Sequence, residues 1–205
     1  AEAGADLTAA ADGIATVSVP GRVELVDRGQ DFLAVVDYAH KPAALEAVIA
    51  TLRGRSSGRI AVVVGAGGDR DRGKRALMGA VAARGAEFVV ITDDNPRTED
   101  PAAIRAAMLV GTRSVPDAER GEIVEIGDRA AAIDAAVRWA GPGDVVLVAG
   151  KGHERGQEIH GIKHPFDDRE VLADVLERTR TSRSAPQPDD PGRNGTGGTR
   201  DGGTA

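Results

Sequence analysis

Short apolar runs rich in valine and isoleucine recur along the chain and alternate with segments whose apolar positions follow the helical period. A short run of β-branched residues is typical of a strand that is buried on both faces of a parallel sheet. Such runs fall at residues 60–64, 88–92, 123–126 and 145–149, and the helical segments at 42–52, 75–84, 101–110, 128–140 and 167–177. This alternation predicts an α/β fold, a Rossmann-like doubly wound and mostly parallel sheet.

An antiparallel hairpin is predicted at the edge of this sheet. Residues 23–26 and 32–36 form two further apolar runs, separated by the polar stretch Asp27-Arg28-Gly29-Gln30. Two short strands around a polar turn that contains glycine are typical of a β-hairpin. The second strand leads directly to Pro42, which suits the first turn of a helix.

The two ends of the chain differ from its middle. Residues 1–19 are rich in alanine and weakly patterned, like the end of a preceding segment, and Pro20-Gly21 then interrupts the chain. Residues 181–205 consist of Ser, Thr, Pro, Asp, Arg and Gly with almost nothing apolar. We therefore expect one folded domain at residues 20–180, followed by a disordered tail.

Composition narrows the possible function classes. Hydrophobic residues make up 41% of the chain but aromatics only 2%, so the core must consist of Val, Ile, Leu and Ala. The formal charge of −6 gives no general reason to expect nucleic acid as a partner. The absence of cysteine excludes a disulfide framework and a thiolate nucleophile. Without a long apolar run or a visible signal peptide, we expect a cytoplasmic protein with no membrane partner. Because the sequence does not begin with Met, we expect a fragment.

A polar loop at residues 92–101 follows the apolar run 88–91 and precedes a helix capped by Asp100. Ligands of open α/β sheets bind at the carboxyl ends of strands. There, Arg97 offers a bidentate fork to a carboxylate, while Asp94 and Asn95 can accept hydrogen bonds from an ammonium group. This combination suits the zwitterionic end of an amino acid. The alternative is an ordinary polar loop before a helix.

The glycine-rich loop at residues 65–75 resembles a dinucleotide-binding turn only in part, because its glycine spacing is not Gly-x-Gly-x-x-Gly. Its cationic residues could clamp anionic ligand groups, or could belong to a solvated loop. These residues are Arg70, Arg72, Lys74 and Arg75.

Another glycine-containing segment, residues 150–154, follows the run 145–149. Gly150 and Gly152 would let the backbone approach a ligand closely, and Glu154 could pair with an ammonium group. His153 has no orienting partner in the sequence, so a loop histidine is a simpler interpretation than a catalytic one.

The predicted hairpin carries a further candidate site. Asp37 ends its second strand and could bind ribose hydroxyls or a metal-bridged phosphate, and Arg22 could reach a phosphate. Alternatively, Tyr38 packs and Asp37 hydrogen-bonds the following turn. The sequence has no zinc-protease or serine-hydrolase motif.

Five separated motifs together resemble the C-terminal domain of Mur ligases, over about residues 14–177. They are Gly21-Arg22-Val23-Glu24, Asp37-Tyr38-Ala39-His40-Lys41-Pro42, Gly65-Ala66-Gly67-Gly68-Asp69-Arg70-Asp71, Asp94-Asn95-Pro96-Arg97 and Gly150-Lys151-Gly152-His153-Glu154. The Asp-Asn-Pro-Arg motif is similar to that of the members that add meso-diaminopimelate to UDP-N-acetylmuramoyl-L-alanyl-D-glutamate in peptidoglycan synthesis.

The resemblance implies an ATP-dependent amide ligase in which an amine attacks an acyl phosphate, with meso-diaminopimelate and the UDP-N-acetylmuramoyl dipeptide as substrates. It implies that ATP and Mg²⁺ are bound mainly by a central domain, of which residues 1–19 would be a stub, and that this chain alone is an inactive monomer without its own catalytic residue or metal ligand. By the same resemblance, the diaminopimelate contacts are Arg70, Asp94, Asn95, Pro96, Arg97, Gly150 and Glu154. The nucleotide contacts are Arg22, Asp37 and His40.

Three alternatives remain open from the residues. A dinucleotide-binding module would use the loop at 65–68, and a non-catalytic domain would bind an amino acid without ligation. A related ligase would take another amino-acid substrate, as in lysine, folate polyglutamate or cyanophycin chemistry. Arg97 favours diaminopimelate, since it needs a second carboxylate to bind.

Overall fold

The computed structural model describes residues 21–184, and the expected stub at 1–19 and the rest of the tail beyond 184 lie outside this range. The strands are β1 (Glu24–Leu25), β2 (Leu33–Asp37), β3 (Ile60–Val64), β4 (Phe88–Ile91), β5 (Glu122–Glu125), β6 (Val145–Ala149), β7 (Gln157–Ile159) and β8 (Ile162–His164). The helices are α1 (Pro42–Arg53), α2 (Gly73–Gly85), α3 (Pro101–Arg113), α4 (Arg129–Trp139) and α5 (Asp168–Ser184), with a 3₁₀ turn at Asp117–Glu119.

The main sheet has the order β1-β2-β6-β3-β4-β5. Its strands run parallel except β1, which pairs antiparallel with β2 at one edge. The central strands β3 and β6 are buried at every position, which explains their unbroken valine-rich sequences. The predicted mostly parallel sheet with a hairpin at its edge is confirmed.

Helices cover both faces of the sheet. One hydrophobic cluster joins residues of α1, α2 and α3, such as Leu45, Met78 and Met108, to one set of strand side chains. The other cluster joins α4 and α5, through Ile133 and Leu172, to the alternate set. Successive strand residues point to opposite faces, so each central strand contributes to both clusters. The sheet is therefore doubly wound, as predicted.

The strand order brings four carboxyl ends together. Because β6 lies between β2 and β3, the segments that follow β2, β6, β3 and β4 all leave the same edge of the sheet side by side. The loop after β4 ends at Asp100, whose side chain accepts a hydrogen bond from the Ala102 amide and begins α3. Asp128 begins α4 in the same way through the Ala131 amide. This edge is where an open α/β sheet binds ligands.

The structure differs from the sequence-based prediction most clearly in the β7–β8 hairpin and in the length of α5. The hairpin β7–β8 was not predicted, because its strands are short and polar and its turn uses His160-Gly161, both with positive φ, instead of the more recognisable Asn-Gly. Helix α5 continues to Ser184, past the predicted domain end at residue 180. The Thr181 hydroxyl there donates to the Glu177 carbonyl, and no glycine or proline stops the helix before Pro186.

None of the helices within residues 21–184 is both long enough and apolar enough to span a membrane.

Candidate functional site

A polar cleft of about 490 Å³ lies at the carboxyl edge of the sheet. Four segments line it, each following one of the four adjacent strands. They are Tyr38, His40, Lys41 and Pro42 after β2, Gly67, Arg70, Asp71 and Lys74 after β3, Asp94, Asn95 and Arg97 after β4, and Gly150 and Glu154 after β6. The cleft thus gathers His40 and six of the seven expected amino-acid contacts. The seventh, Pro96, is not among its lining residues, and its carbonyl packs against Gly68.

The glycine-rich loop packs against the loop after β4. The Gly68 amide donates to the Asn95 carbonyl at 2.8 Å, and a Cβ at Gly68 would lie 1.9 Å from the Pro96 carbonyl oxygen. A Cβ at Gly65 would lie 2.5 Å from the carbonyl oxygen of Thr92. These glycines are therefore required for close packing of two loops. This packing accounts for them without a dinucleotide.

Asn95 joins three elements through its carboxamide. Its Nδ2 donates to Asp94 Oδ1 at 3.2 Å and to Glu154 Oε2 at 2.9 Å. Its Oδ1 accepts from the Lys151 ammonium at 3.1 Å and from the Glu158 backbone amide at 2.9 Å. Since a backbone amide can only donate, this last contact fixes which end of the carboxamide is the oxygen. Both ends of Asn95 are thus engaged within the protein, and its part is to hold its neighbours in place.

Lys151 is a fully buried cation beneath the cleft. Its Nζ lies 3.3 Å from Asp94 Oδ1 and 3.6 Å from Glu154 Oε2. Two carboxylates that meet at one point repel each other, and the ammonium group between them offsets this repulsion. No role is predicted for Lys151 from the sequence, although it lies within one of the recognised motifs.

One oxygen of each of these carboxylates remains available. Within residues 21–184, neither Asp94 Oδ2 nor Glu154 Oε1 accepts a hydrogen bond. Asp94 Oδ2 lies 3.3 Å from the position that a Cβ of Gly150 would take, and Gly150 has a φ of +120°. A side chain at Gly150 would therefore crowd this oxygen and strain the backbone. The pair can accept hydrogen bonds from a ligand ammonium.

Arg97 supplies a cation to the same cleft. Its Nη1 donates to the Gly68 carbonyl at 2.8 Å, and its Nε lies 3.5 Å from Glu158 Oε2. Its Nη2 makes no hydrogen bond to any residue of the described range 21–184. Arg97 also has a φ of 54°, which is uncommon for a residue with a side chain. The backbone of Arg97, the last residue of the Asp-Asn-Pro-Arg motif, is therefore held in a strained conformation.

The four cations of the glycine-rich loop separate into two groups. Arg70 and Lys74 line the cleft, whereas Arg75 and Arg72 pair with Glu99 at 2.9 and 3.3 Å. The hydrogen bonds from Arg75, together with one from the Asp69 amide, lower the pKa of Glu99 from 4.5 to about 2. Glu99 therefore engages two of the four cations, and the other two, Arg70 and Lys74, line the cleft.

Lys74 lies in a mixed environment. Burial lowers its pKa, as do Lys41 and Arg70 nearby, while Asp94 and Asp71 act in the opposite direction. Its ammonium group donates to the His40 carbonyl at 2.9 Å. Lys74 thus connects the segment after β2 with the start of α2.

Of the three expected nucleotide contacts, His40 lines the cleft, whereas Arg22 and Asp37 are not among its lining residues. The Arg22 guanidinium is 5.8 Å from the Tyr38 ring centroid, and the rings of His40 and His153 lie 4.6 and 5.2 Å from it. Asp37 is buried, and its carboxylate accepts from the amides of Val23 and Ala39 at 2.8 Å each. The alternative interpretation, in which Asp37 fixes the following turn, is thus realised.

A buried ion pair supports the floor of the site. Arg129, at the start of α4, binds Asp168 with two hydrogen bonds of 2.7 and 2.8 Å and also donates to the Ala149 carbonyl at 3.0 Å. Burial alone would lower the pKa of Arg129, but the charge and hydrogen bonds of Asp168 raise it. A single Arg and a single Asp in two helices carry no sequence signal of pairing, so this contact could not be predicted from the sequence.

Metal binding was not predicted for this chain. Within residues 21–184, His, Asp and Glu side chains form no group of three or more that is arranged to hold a metal ion.

The chain is similar in sequence to known proteins. The sequence profile of the family described as Mur ligase, glutamate ligase domain, matches residues 21–152, more than half of the chain. Relatives from Corynebacterium efficiens and Streptomyces avermitilis, both named UDP-N-acetylmuramoyl-L-alanyl-D-glutamate–2,6-diaminopimelate ligase, are each 59% identical over 181 residues. These alignments cover 87% and 88% of this chain but 34% and 36% of the relatives. The chain therefore spans about a third of the length of the curated relatives it matches.

The chain is also similar to solved structures of ligases. A structure of a UDP-N-acetylmuramoyl-L-alanyl-D-glutamate–2,6-diaminopimelate ligase is 43% identical with a TM-score of 0.71, over 80% of this chain and 33% of that chain. The murein peptide ligase of Psychrobacter arcticus has a TM-score of 0.54 at 13% identity, over 82% of this chain and 31% of its own. At that identity, the likeness shows the fold alone.

Proposed function

Because this chain belongs to the Mur ligase family, we propose that it is the amino-acid-binding part of a longer ATP-dependent ligase that adds meso-diaminopimelate to UDP-N-acetylmuramoyl-L-alanyl-D-glutamate. The product would serve peptidoglycan synthesis. This proposal extends to this chain the activity that its relatives' names carry. The chain itself would bind the incoming diamino acid and present its amine to the activated carboxylate of the other substrate.

The observation that carries the proposal is the placement of opposite charges in one cleft. Arg97 and Arg70 offer guanidinium groups to carboxylates, and Asp94 and Glu154 offer free oxygens to an ammonium. Diaminopimelate has two carboxylates and two ammonium groups, so it can satisfy both sets at once. L-Lysine lacks one carboxylate and would leave a partly buried arginine without a partner, which is costly.

The other residues support this binding mode. Gly150 keeps space beside Asp94 Oδ2, and Asn95 and Lys151 hold Asp94 and Glu154 in position from inside the protein. The conformation of the Pro96 segment, packed against Gly68, aims Arg97 at the cleft. None of these groups needs to form a covalent bond, because their contribution is to bind and orient the amine.

ATP would supply the phosphoryl group that activates the carboxylate of the UDP-linked dipeptide. We propose that ATP and its Mg²⁺ are held mainly by a part of the ligase outside this chain. Arg22 and His40 lie beside Tyr38, a residue of the cleft, and suit an anionic ligand with an aromatic ring. Asp37 stabilises this region through the Val23 and Ala39 amides, and each of its oxygens keeps a lone pair for a further donor.

The test is a complete ligase in which this chain replaces the matching C-terminal third of the Corynebacterium efficiens relative. Phosphate release and product mass are measured with ATP, Mg²⁺, the UDP-linked dipeptide and either meso-diaminopimelate or L-lysine. The unaltered relative is the positive control. We expect turnover with diaminopimelate, and a kcat/KM for L-lysine that is lower by at least about 100-fold.

Two results would overturn the proposal. One is a folded chimera that releases no phosphate in response to diaminopimelate, where folding is verified by a single cooperative thermal transition. The other is a preference for L-lysine.

A further inference from the structure

The β7–β8 hairpin holds the backbone of Arg97 through its main chain. The Arg97 amide donates to the Glu158 carbonyl at 2.9 Å, and the His160 amide donates to the Arg97 carbonyl at 2.6 Å. Arg97 forms a parallel bridge with Ile159 through these contacts. Because the contacts use only the backbone of the hairpin, the side chain of Glu158 is free to have a separate effect.

The Glu158 side chain meets one edge of the Arg97 guanidinium. Its Oε2 lies 3.5 Å from Nε, while Nη1 is bound to the Gly68 carbonyl and Nη2 makes no hydrogen bond within residues 21–184. The Arg97 side chain is 22% exposed and that of Glu158 is 42% exposed. The arginine therefore carries a resident carboxylate on one edge before any ligand carboxylate arrives at another.

We propose that Glu158 is a positioning residue that partly neutralises Arg97 and so weakens the attraction of this arginine for the carboxylate of the incoming amino acid. This inference rests on the proposed function, in which Arg97 binds that carboxylate. It adds a residue outside the recognised motifs, on a hairpin that the sequence did not predict. Glu158 would set how tightly the amino acid is held, without taking part in the reaction.

Two opposite effects of the Glu158 carboxylate must be weighed. It could help by orienting Arg97, or it could hinder by cancelling charge. Orientation depends mainly on the short bond from Nη1 to the Gly68 carbonyl and on the backbone contacts of the hairpin, none of which involves the Glu158 carboxylate. A half-exposed pair at 3.5 Å adds little further restraint. The loss of attraction therefore dominates, and removing the charge should tighten binding.

Other charges near Arg97 do not reverse this expectation. Arg70 and Lys74 are cations in the same cleft, and the anion Asp71 lies between them in sequence. Asp94 and Glu154 have Lys151 as their shared cation. Glu158 is the only carboxylate of the described residues that forms an ion pair with Arg97.

The variant Glu158→Gln in the chimeric ligase tests the inference. It removes the charge and keeps the shape of the side chain and all backbone contacts of the hairpin. We expect the KM for meso-diaminopimelate to fall about 2- to 5-fold with kcat unchanged, the size of effect that an exposed ion pair produces. The matched control is Glu46→Gln on the exposed face of α1, which makes the same charge change away from the cleft and should leave KM unchanged.

Salt provides the readout that a purely structural role would not change. The ratio of KM values between the unaltered chimera and Glu158→Gln should decrease as KCl is raised from about 0.05 M to about 0.5 M, because screening weakens the interaction between half-exposed charges. A KM that stays the same or rises in Glu158→Gln would overturn the inference, as would an equal fall in Glu46→Gln or a ratio that does not respond to salt. An unaltered chimera that ignores diaminopimelate overturns the proposed function, and the inference with it.

Discussion

The carboxamide oxygen of Asn95 accepts a hydrogen bond from the ammonium group of Lys151 at 3.1 Å, although the two residues are 56 positions apart in the chain. The contact joins the loop after β4 to the loop after β6, and thereby places Asp94 and Glu154 side by side. The candidate site is built on this internal polar network.

Arg97→Ala should lower kcat/KM for meso-diaminopimelate in the chimeric ligase by at least about 100-fold, because a charge-assisted bidentate contact to the substrate is lost. The measurement is steady-state phosphate release. Arg84→Ala, an exposed arginine on α2, is the control and should remain close to the unaltered chimera. If Arg97→Ala keeps nearly full kcat/KM, Arg97 does not bind the substrate.

Asn95→Asp should destabilise the fold by about 2 kcal/mol or more at neutral pH. The change replaces the Nδ2 donor, which binds Asp94 and Glu154, with an oxygen that repels both. Urea unfolding followed by circular dichroism measures the free energy of unfolding. Gln157→Glu makes the same chemical change in β7, where the side chain forms no hydrogen bond within residues 21–184. Equal effects of the two variants would contradict the assigned part of Asn95.

Lys151→Met should cost about 3–5 kcal/mol of unfolding free energy, since it leaves Asp94 and Glu154 facing each other without their shared cation. Lys163→Met, at an exposed position of β8, serves as the control and should change stability by less than about 0.5 kcal/mol. Chemical denaturation of both variants gives the comparison. A small effect at Lys151 would mean that the carboxylates tolerate each other without it.

Arg129→Met should destabilise by about 3–5 kcal/mol, because Asp168 remains buried without a partner. Adding Asp168→Leu should recover part of the loss, since both charges are then gone. The double-mutant cycle, measured by urea unfolding, should give a coupling of at least about 1 kcal/mol. Strictly additive losses would show that the ion pair does not couple α4 to α5.

Glu99→Gln should change the acid dependence of stability. The pKa of Glu99 is lowered from 4.5 to about 2 in the fold by Arg75, the Asp69 amide and Arg72. A lowered pKa stabilises the fold above the unfolded value, and this contribution is lost as pH falls through the folded value. The gap in Tm between the unaltered chain and Glu99→Gln should thus narrow as pH falls from 4.5 toward 2. A gap that stays constant over this range would contradict the assignment.

Much of the fold was determined by the sequence alone. The valine-rich runs at Ile60–Val64 and Val145–Ala149 specify buried parallel strands, because only a sheet covered on both faces can accept them. The capping residues Asp100 and Asp128 set two helix starts by local hydrogen bonds. Such signals act over a few residues, so they can be read without knowing the tertiary structure.

The sequence also predicted candidate ligand-binding residues in the loops that follow the strands. The structure brings four of them, Arg70, Asp94, Arg97 and Glu154, into one cleft. The sequence could not show which cations face that cleft. Arg75 and Arg70 belong to the same cationic loop, yet Glu99 removes Arg75 from the site. Which of the two arginines faces the cleft thus depends on Glu99, a side chain of the loop after β4.

Only the tertiary structure decided the parts that depend on distant residues. The order of the strands, with β6 between β2 and β3, placed Lys151 beneath Asp94 and brought the β7–β8 hairpin to Arg97. The burial of Arg129 against Asp168 depends on the same packing. The physical reason is that a local pattern fixes which residues form a helix or a strand, whereas the pairing of buried charges depends on which loops the strand order brings together.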